Sequence, residues 1–251
     1  MPEFLIEMDR LHNLREVSGY ATSSGVMRAG RLYRSGAWEL MSESDHAWFE
    51  DRIETVIDLR HPDEVEQAAH ARTGEPGARI VFNSIFPVGQ TMESMVDEMN
   101  GLYGDAAVAG AGTQRYLHFA KVGGARFADA VRVMADGENY PVPINCTAGK
   151  DRTGLLVGMV MDVLGVSDEE IASEYERSNA DIDGLLLYLQ SIGRVLEGTA
   201  AEIRARVETP ADRMVGFLEG LRAEHGSSAG YLQSHGVADA ELEALTELLV
   251  E

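Results

Sequence analysis

A small, mainly parallel β-sheet flanked by helices, with a helical C-terminal third, is the α/β fold this sequence predicts. Three observations lead to it. Short runs rich in β-branched and aromatic residues, at 32–35, 55–59 and 79–86 and again from Pro141, alternate with helical patterns through the first 145 residues. Beyond that point only helical patterns follow. The first of these, Leu155 to Met161, is apolar nearly all round, as a helix buried on every side must be. Strands separated by helices pair in parallel, with the connecting helices covering the sheet. At 251 residues, with 45% hydrophobic residues and neither a repeat nor a low-complexity linker, the chain is read as a single domain over 1–251.

Taken in order, residues 1–31 look irregular, punctuated by Ser18-Gly19 and Ser23-Ser24-Gly25. Leu32-Tyr-Arg-Ser35 is a short strand. Ser42 with Asp45 three residues later marks a helix N-terminus, running toward Ile53. Thr55-Val-Ile-Asp-Leu59 is a buried strand, and Pro62 opens a helix with Asp63, Glu64 and Glu66 in its first turn. A strand over 79–86 stops at Pro87. Residues 88–112 are Met- and Gly-rich, with Met92, Met95, Met99 and Leu102 at helical spacing; they read as a lid insertion over a site or as a helix packed on the core. Gln114 to Ala135 is a long helix interrupted at Gly123-Gly124 and ended by Asp136-Gly137. Ser167-Asp-Glu-Glu170 is a capping box. Thr209-Pro210 starts a further helix that Gly226 ends, and Asp239 caps the last one, from Ala240 to Val250.

The formal charge of −21 argues against nucleic acid or an anionic membrane surface as partner. No stretch approaches the ~18–20 apolar residues of a membrane span, and the N-terminus lacks the basic start of a signal peptide. One cysteine leaves no intrachain disulfide and no Cys-rich zinc site, and fits a reducing compartment. A cytoplasmic protein without an integral membrane segment is expected; export without a cleaved signal stays open, and oligomeric state is not legible.

The chemistry concentrates in Pro141-Val-Pro-Ile-Asn-Cys-Thr-Ala-Gly-Lys-Asp-Arg-Thr-Gly154. This is a buried strand, a turn of small residues and the mouth of a helix. Cys146 stands where backbone N–H groups and the helix dipole favour a thiolate over the thiol. Thr147, Ala148, Gly149, Lys150, Asp151 and Arg152 offer successive N–H groups to an anion, with Ala148-Gly149 leaving them unshielded. Arg152 supplies a bidentate guanidinium for equatorial phosphoryl oxygens. Asp151 is the nearest acid for a leaving oxygen, and Thr153 can hydrogen-bond the sulfur. A nucleotide P-loop is excluded, since position 151 is Asp where Ser or Thr is needed and position 144 is Ile where Gly is needed.

On these residues the sequence resembles the protein tyrosine phosphatase superfamily, with its His-Cys-x5-Arg-Ser/Thr loop. It is most similar to the bacterial atypical subgroup whose loop contains Ala-Gly-Lys-Asp-Arg-Thr-Gly, here Ala148 to Gly154. Asn13-Leu-Arg-Glu-Val17, Gly30-Arg-Leu-Tyr-Arg-Ser35, Val56-Ile-Asp-Leu-Arg60, Glu174-Tyr-Glu-Arg-Ser-Asn179 and Gly226-Ser-Ser-Ala-Gly-Tyr-Leu232 extend the likeness over nearly the whole chain. The resemblance implies hydrolysis of phosphotyrosine, and of phosphoserine, phosphothreonine or phosphoinositide monoesters, through a cysteinyl-phosphate, with no metal and no cofactor. Cys146 would be the nucleophile, Arg152 the transition-state ligand and Asp151 the general acid and then base. Many members draw the acid from a movable loop earlier in the chain, but position 116 is Tyr. Nor does Phe86-Pro87-Val88 carry the Asp that some relatives place there. Lys150 would suit extra phosphates on an inositol ring, or pair with Asp58 or Asp63. Asp58 and Arg60 are expected to support the loop. Asn145 stands where the family has His; it is expected to donate a similar bond but no charge, shifting the pH–rate profile upward. The alternative reading is a catalytically weakened module that binds phosphorylated ligands.

Overall fold

The computed structural model describes residues 4–74, 76–86, 89–104 and 110–251. Among them five strands form one sheet: β1 (Arg15–Glu16), β2 (Leu32–Ser35), β3 (Thr55–Asp58), β4 (Arg79–Phe82) and β5 (Val142–Asn145), in the order β1-β2-β5-β3-β4. β1 runs antiparallel to β2, and every other pairing is parallel. The mainly parallel sheet is therefore as expected. The irregular N-terminal stretch nonetheless contributes β1, too short to leave a period in the sequence. β5 lies at the centre, so the chain leaves the sheet at Cys146 with β2 on one side and β3 on the other. β2, β3 and β5 are buried throughout, as parallel strands covered on both faces are. β4 is a half-exposed edge and ends at Phe82, short of the predicted residue 86.

The helices are α1 (Glu43–Glu50), α2 (Pro62–Ala68), α3 (Met92–Tyr103), α4 (Ala111–Met134), α5 (Asp151–Val163), α6 (Asp168–Glu176), α7 (Ile182–Ser191), α8 (Ala200–Val207), α9 (Ala211–His225), α10 (Ser228–Ser234) and α11 (Asp239–Leu249). Ser42 caps α1 by accepting from the Asp45 N–H, and Pro62 opens α2 behind His61. Period-2 alternation divides the sheet's apolar residues. Leu32, Ile57, Val142 and Ile144 join the main core with α4, α5, α6 and α9. Tyr33 and Val56 point the other way, toward Trp38, Met41 and Phe49 beside α1. In α5 every residue from Arg152 to Met161 is buried.

Several boundaries differ from expectation for reasons of packing. α4 runs unbroken through Gly123 and Gly124. Those glycines let neighbours approach: an added Cβ at 123 would press on Ile85, and one at 124 would overlap the ring of His235. Ala238 occupies the cap position of α11 and Asp239 is its first residue. Ser167 caps α6, yet its hydroxyl also donates to Glu170 at 2.9 Å, so the reciprocal half of the capping box is not formed. Within the 88–112 stretch, α3 buries Met95 and Met99 in the main core; Val88 and residues 105–109, like the Pro87-Val88 pair, lie outside the described residues. Among the described residues no helix is long and apolar enough to cross a membrane.

Candidate functional site

The loop from Cys146 to Arg152 joins the central strand to the most buried helix, at the C-terminal edge of the parallel strands, where open α/β sheets bind ligands. Its shape is set by groups that hold its carbonyls from outside. Thr147 O accepts from the Ala37 N–H and from His12 Nε2, each at 3.1 Å. Ala148 O and Gly149 O accept from Asn13 Nδ2 at 2.9 and 3.1 Å. Arg34 donates to Gly149 O at 2.8 Å and to Lys150 O at 3.2 Å. In a trans peptide the N–H points opposite to the C=O. Drawing four successive carbonyls outward therefore turns the N–H groups of Ala148, Gly149, Lys150 and Asp151 to the other side, making a nest for an anion at the N-terminus of α5. Gly149 makes the turn possible. Its φ is +62°, and any Cβ would overlap the Ser35 carbonyl.

The clamp is itself clamped. Glu174 pairs with Arg15 at 2.7 Å and with Arg34, and Arg15 also donates to Asn13 Oδ1. All are buried. Burial alone would raise the Glu174 pKa, but the two guanidiniums hold it below the ordinary value. Asn13 adopts a left-handed φ of 56°, which Asn tolerates better than most residues. His12 is buried with its pKa lowered to about 4, chiefly by burial, so it is neutral and its Nε2–H faces the carbonyl.

Arg152 is gripped by a residue that sequence reasoning placed only in a helix's first turn. Glu64 accepts from both Arg152 terminal nitrogens, at 2.5 and 2.8 Å, from the Thr147 hydroxyl at 2.5 Å and from the His61 N–H at 2.9 Å. Burial pushes the Glu64 carboxyl up, but Arg152 outweighs it and brings the pKa to about 2. Reciprocally, Glu64 and Cys146 hold Arg152 above its ordinary range despite burial. Cys146 is almost fully buried.

Asp151, its side chain about one-third exposed (34%), accepts a hydrogen bond from Tyr116, which is 2.5 Å from the Tyr175 hydroxyl. Position 116 is thus not idle: its Tyr holds the Asp151 carboxylate of the loop. Lys150 does not pair with Asp58 or Asp63. Its ammonium donates to Val207 O at 2.5 Å and lies 3.5 Å from Asp151.

Two expected bonds are not formed. The Thr153 hydroxyl and both polar atoms of the Asn145 amide are buried without a hydrogen-bond partner among the described residues. Asp58 and Arg60 bond each other at 2.6 Å, and Arg60 forks onto Glu39 at 2.7 and 2.8 Å. Their link to the loop runs through Leu59, which donates to Asn145 O and accepts from Arg152 at 3.4 Å.

A cavity of about 190 Å³ opens beside Asp151 and Arg152. Phe86, Met92, Val96, Met99 and Phe119 form an apolar wall, and Lys150, Arg115, Arg206 and Arg213 bring further cations. The net charge of −21 does not bar an anionic ligand from this cavity. An anion repelled by the whole chain at long range meets local positive charge at the loop. Asn13, Arg34 and Glu174 sit inside the N- and C-terminal motifs quoted above, so the sequence carried their signal but not their common target. For Glu64 and Tyr116 it carried none.

Comparisons with known proteins give the family. The model described as "Tyrosine phosphatase family" matches residues 6–251. The triple specificity protein phosphatase PtpB of Mycobacterium tuberculosis is 26% identical over 97% of this chain and 98% of its own. A Cupriavidus necator protein named "Putative tyrosine-protein phosphatase H16_A0669" is 30% identical, covering 69% of this chain and 63% of its own. A shorter match, 45% identical over 20% of this chain and 25% of the relative, is to the inositol diphosphatase DSP4 of Arabidopsis thaliana.

Proposed function

Because the chain belongs to the tyrosine phosphatase family, we propose that it hydrolyses phosphate monoesters by way of a phosphoryl group carried on Cys146. The observation that carries this reading is the loop whose carbonyls are pulled outward around that sulfur. The Cys146 thiolate attacks phosphorus, forming the S–P bond as the P–O bond to the leaving group breaks. The N–H groups from Ala148 to Asp151 and the Arg152 guanidinium take the charge on the equatorial oxygens. Arg152 arrives already oriented by Glu64, so no reorganisation is needed when that charge develops.

Asp151 gives its proton to the departing oxygen. In the free enzyme partial burial would raise its pKa, but Lys150, the Tyr116 bond, Arg213 and Arg152 hold it below the ordinary value. A phosphoryl dianion placed beside it opposes the carboxylate and favours the acid form. In the second step the carboxylate takes a proton from water as the water oxygen bonds phosphorus and the S–P bond breaks, restoring the thiolate. Phosphotyrosine suits the apolar wall beside the cations. Similarity to a triple specificity protein phosphatase and to an inositol diphosphatase supports a substrate class wider than phosphotyrosine, in which we include phosphoserine, phosphothreonine and phosphoinositide. The lone cysteine suits a reducing compartment, and we place the reaction in the cytoplasm.

The test is a panel of phosphotyrosine, phosphoserine and phosphoinositide substrates with wild type and Cys146→Ser, together with rapid-quench trapping of phosphoenzyme. Turnover and a trapped cysteinyl-phosphate are expected from wild type and neither from Cys146→Ser. Turnover by Cys146→Ser would overturn the reading. Binding without turnover or trapping by wild type would replace it with a phosphate-binding module.

A further inference from the structure

We propose that Tyr116, steadied by Tyr175, is the positioning residue for the Asp151 carboxyl, fixing one of its oxygens so that the other carries the transferred proton. The proposal rests on the reading of Asp151 as the acid–base group. Tyr116 projects from α4 and Tyr175 from α6, so the carboxyl is oriented by two helices remote in sequence from the loop that bears it.

The hydrogen-bond directions follow from counting protons. Tyr116 has one hydroxyl proton and spends it on Asp151 Oδ1. Its oxygen, 2.5 Å from the Tyr175 oxygen, must then accept, so Tyr175 donates. A phenol that receives a hydrogen bond donates its own proton more strongly. Arg213, from α9, adds a guanidinium 5.7 Å over the Tyr116 ring. Oδ1 is thereby occupied, and Oδ2, which lies 3.5 Å from the Lys150 ammonium, is the oxygen left to gain and lose a proton. Among the described residues, the charged and titratable groups facing the carboxyl are Lys150 and Arg152 from the loop and α5, Tyr116 from α4, Tyr175 from α6 and Arg213 from α9, with Arg115 from α4 and Arg206 from α8 lining the same cavity.

Two features make this more than incidental packing. Tyr116 is nearly fully buried and its ring is locked by Phe119, Phe217 and Tyr175 at 6.1–6.3 Å between centroids, so its hydroxyl is held in place. The bond also opposes the acid form, since a donor on Oδ1 stabilises the carboxylate. Tyr116 thus acts with Lys150 in lowering the pH at which Asp151 stops acting as an acid.

The experiment measures kcat/KM against pH for Tyr116→Phe, Tyr175→Phe, Asp151→Asn and Tyr116→Phe/Asp151→Asn, with aryl phosphates spanning good to poor leaving phenols. Phe keeps the ring and its packing; thermal melts of each variant check the fold. Asp151→Asn is expected to lose about 10²–10⁴-fold on poor leaving groups and little on good ones. Tyr116→Phe is expected to move the basic limb to higher pH, Tyr175→Phe to move it less in the same direction, and Tyr116→Phe to add nothing in the Asp151→Asn background. If Asp151→Asn shows no leaving-group dependence, the acid assignment itself falls. If that dependence is present but Tyr116→Phe leaves the basic limb in place, or multiplies its loss undiminished in the double variant, the positioning role is overturned while the acid assignment stands.

Discussion

Glu64 shows how one carboxylate can govern the competence of a distant arginine. It takes both terminal nitrogens of Arg152 and the hydroxyl of Thr147, tying the two ends of the loop to one point on α2. Glu64→Gln keeps the shape but loses the charge and one acceptor. A misplaced guanidinium is expected to lower kcat/KM by about 10²-fold, read with a single aryl phosphate, and an Arg left buried without its counter-charge is expected to lower the melting temperature. The sign of the pH dependence is fixed by the depressed pKa. Stability from Glu64 is fully present above its unfolded value near 4.5 and is lost as pH falls from there toward about 2. The gap in melting temperature between wild type and Glu64→Gln should therefore narrow over that window, and a gap that stays constant would refute the assignment. Asn145 is the opposite case. Its amide is buried and makes no bond among the described residues, so it bears a desolvation cost of about 1–3 kcal/mol with nothing to offset it. Asn145→Leu is expected to melt at or above the wild-type temperature. Asn145→His is expected to move the pH–rate profile to lower pH; an unmoved profile would show that position 145 does not influence Cys146.

At the level of elements, the loop is held by pieces of chain far apart in sequence. The N-terminal segment supplies His12 and Asn13, β2 supplies Arg34, and α6 supplies the Glu174 that binds Arg15 and Arg34 together. Glu174→Gln would leave two guanidiniums sharing a neutral partner in a dry interior. Its expected cost is on the order of 3 kcal/mol in a denaturant melt, accompanied by a fall in kcat as the carbonyls of Gly149 and Lys150 lose their anchor. An unchanged kcat at lowered stability would separate the fold's need for Glu174 from the loop's. The glycine pair in α4 carries a similar lesson. It looks like a helix break in the sequence because glycine is a poor helix former, yet both positions are sites of close approach.

For the whole molecule the decisive quantity is the contrast between a formal charge of −21 and the cations gathered at one cavity. Long-range repulsion acts over distances that ~0.1 M salt screens, where the Debye length is about 10 Å. Contacts inside the cavity are screened much less. Raising salt from about 0.01 to 0.1 M is therefore expected to lower KM for a small aryl phosphate dianion. A KM that rises over that range would mean that steering by the cavity dominates the whole-chain field.

The sequence by itself determined the sheet class, the strand–loop–helix unit and the loop's chemical inventory. All three are local: β-branched runs, a turn of small residues between strand and helix, and a thiol, a carboxyl and a guanidinium within seven residues. Its motifs also named Asn13, Arg34 and Glu174 without saying what they hold. Only the tertiary structure decided that Glu64 grips Arg152, that Tyr116 holds Asp151, that Lys150 turns to Val207 and that the amide of Asn145 and the hydroxyl of Thr153 make no bond. The physical reason is the same in each case. A hydrogen bond or ion pair depends on positions fixed by burying α2, α4 and α6 against one sheet, and spacing along the chain does not encode which side chains that burial brings within 3 Å.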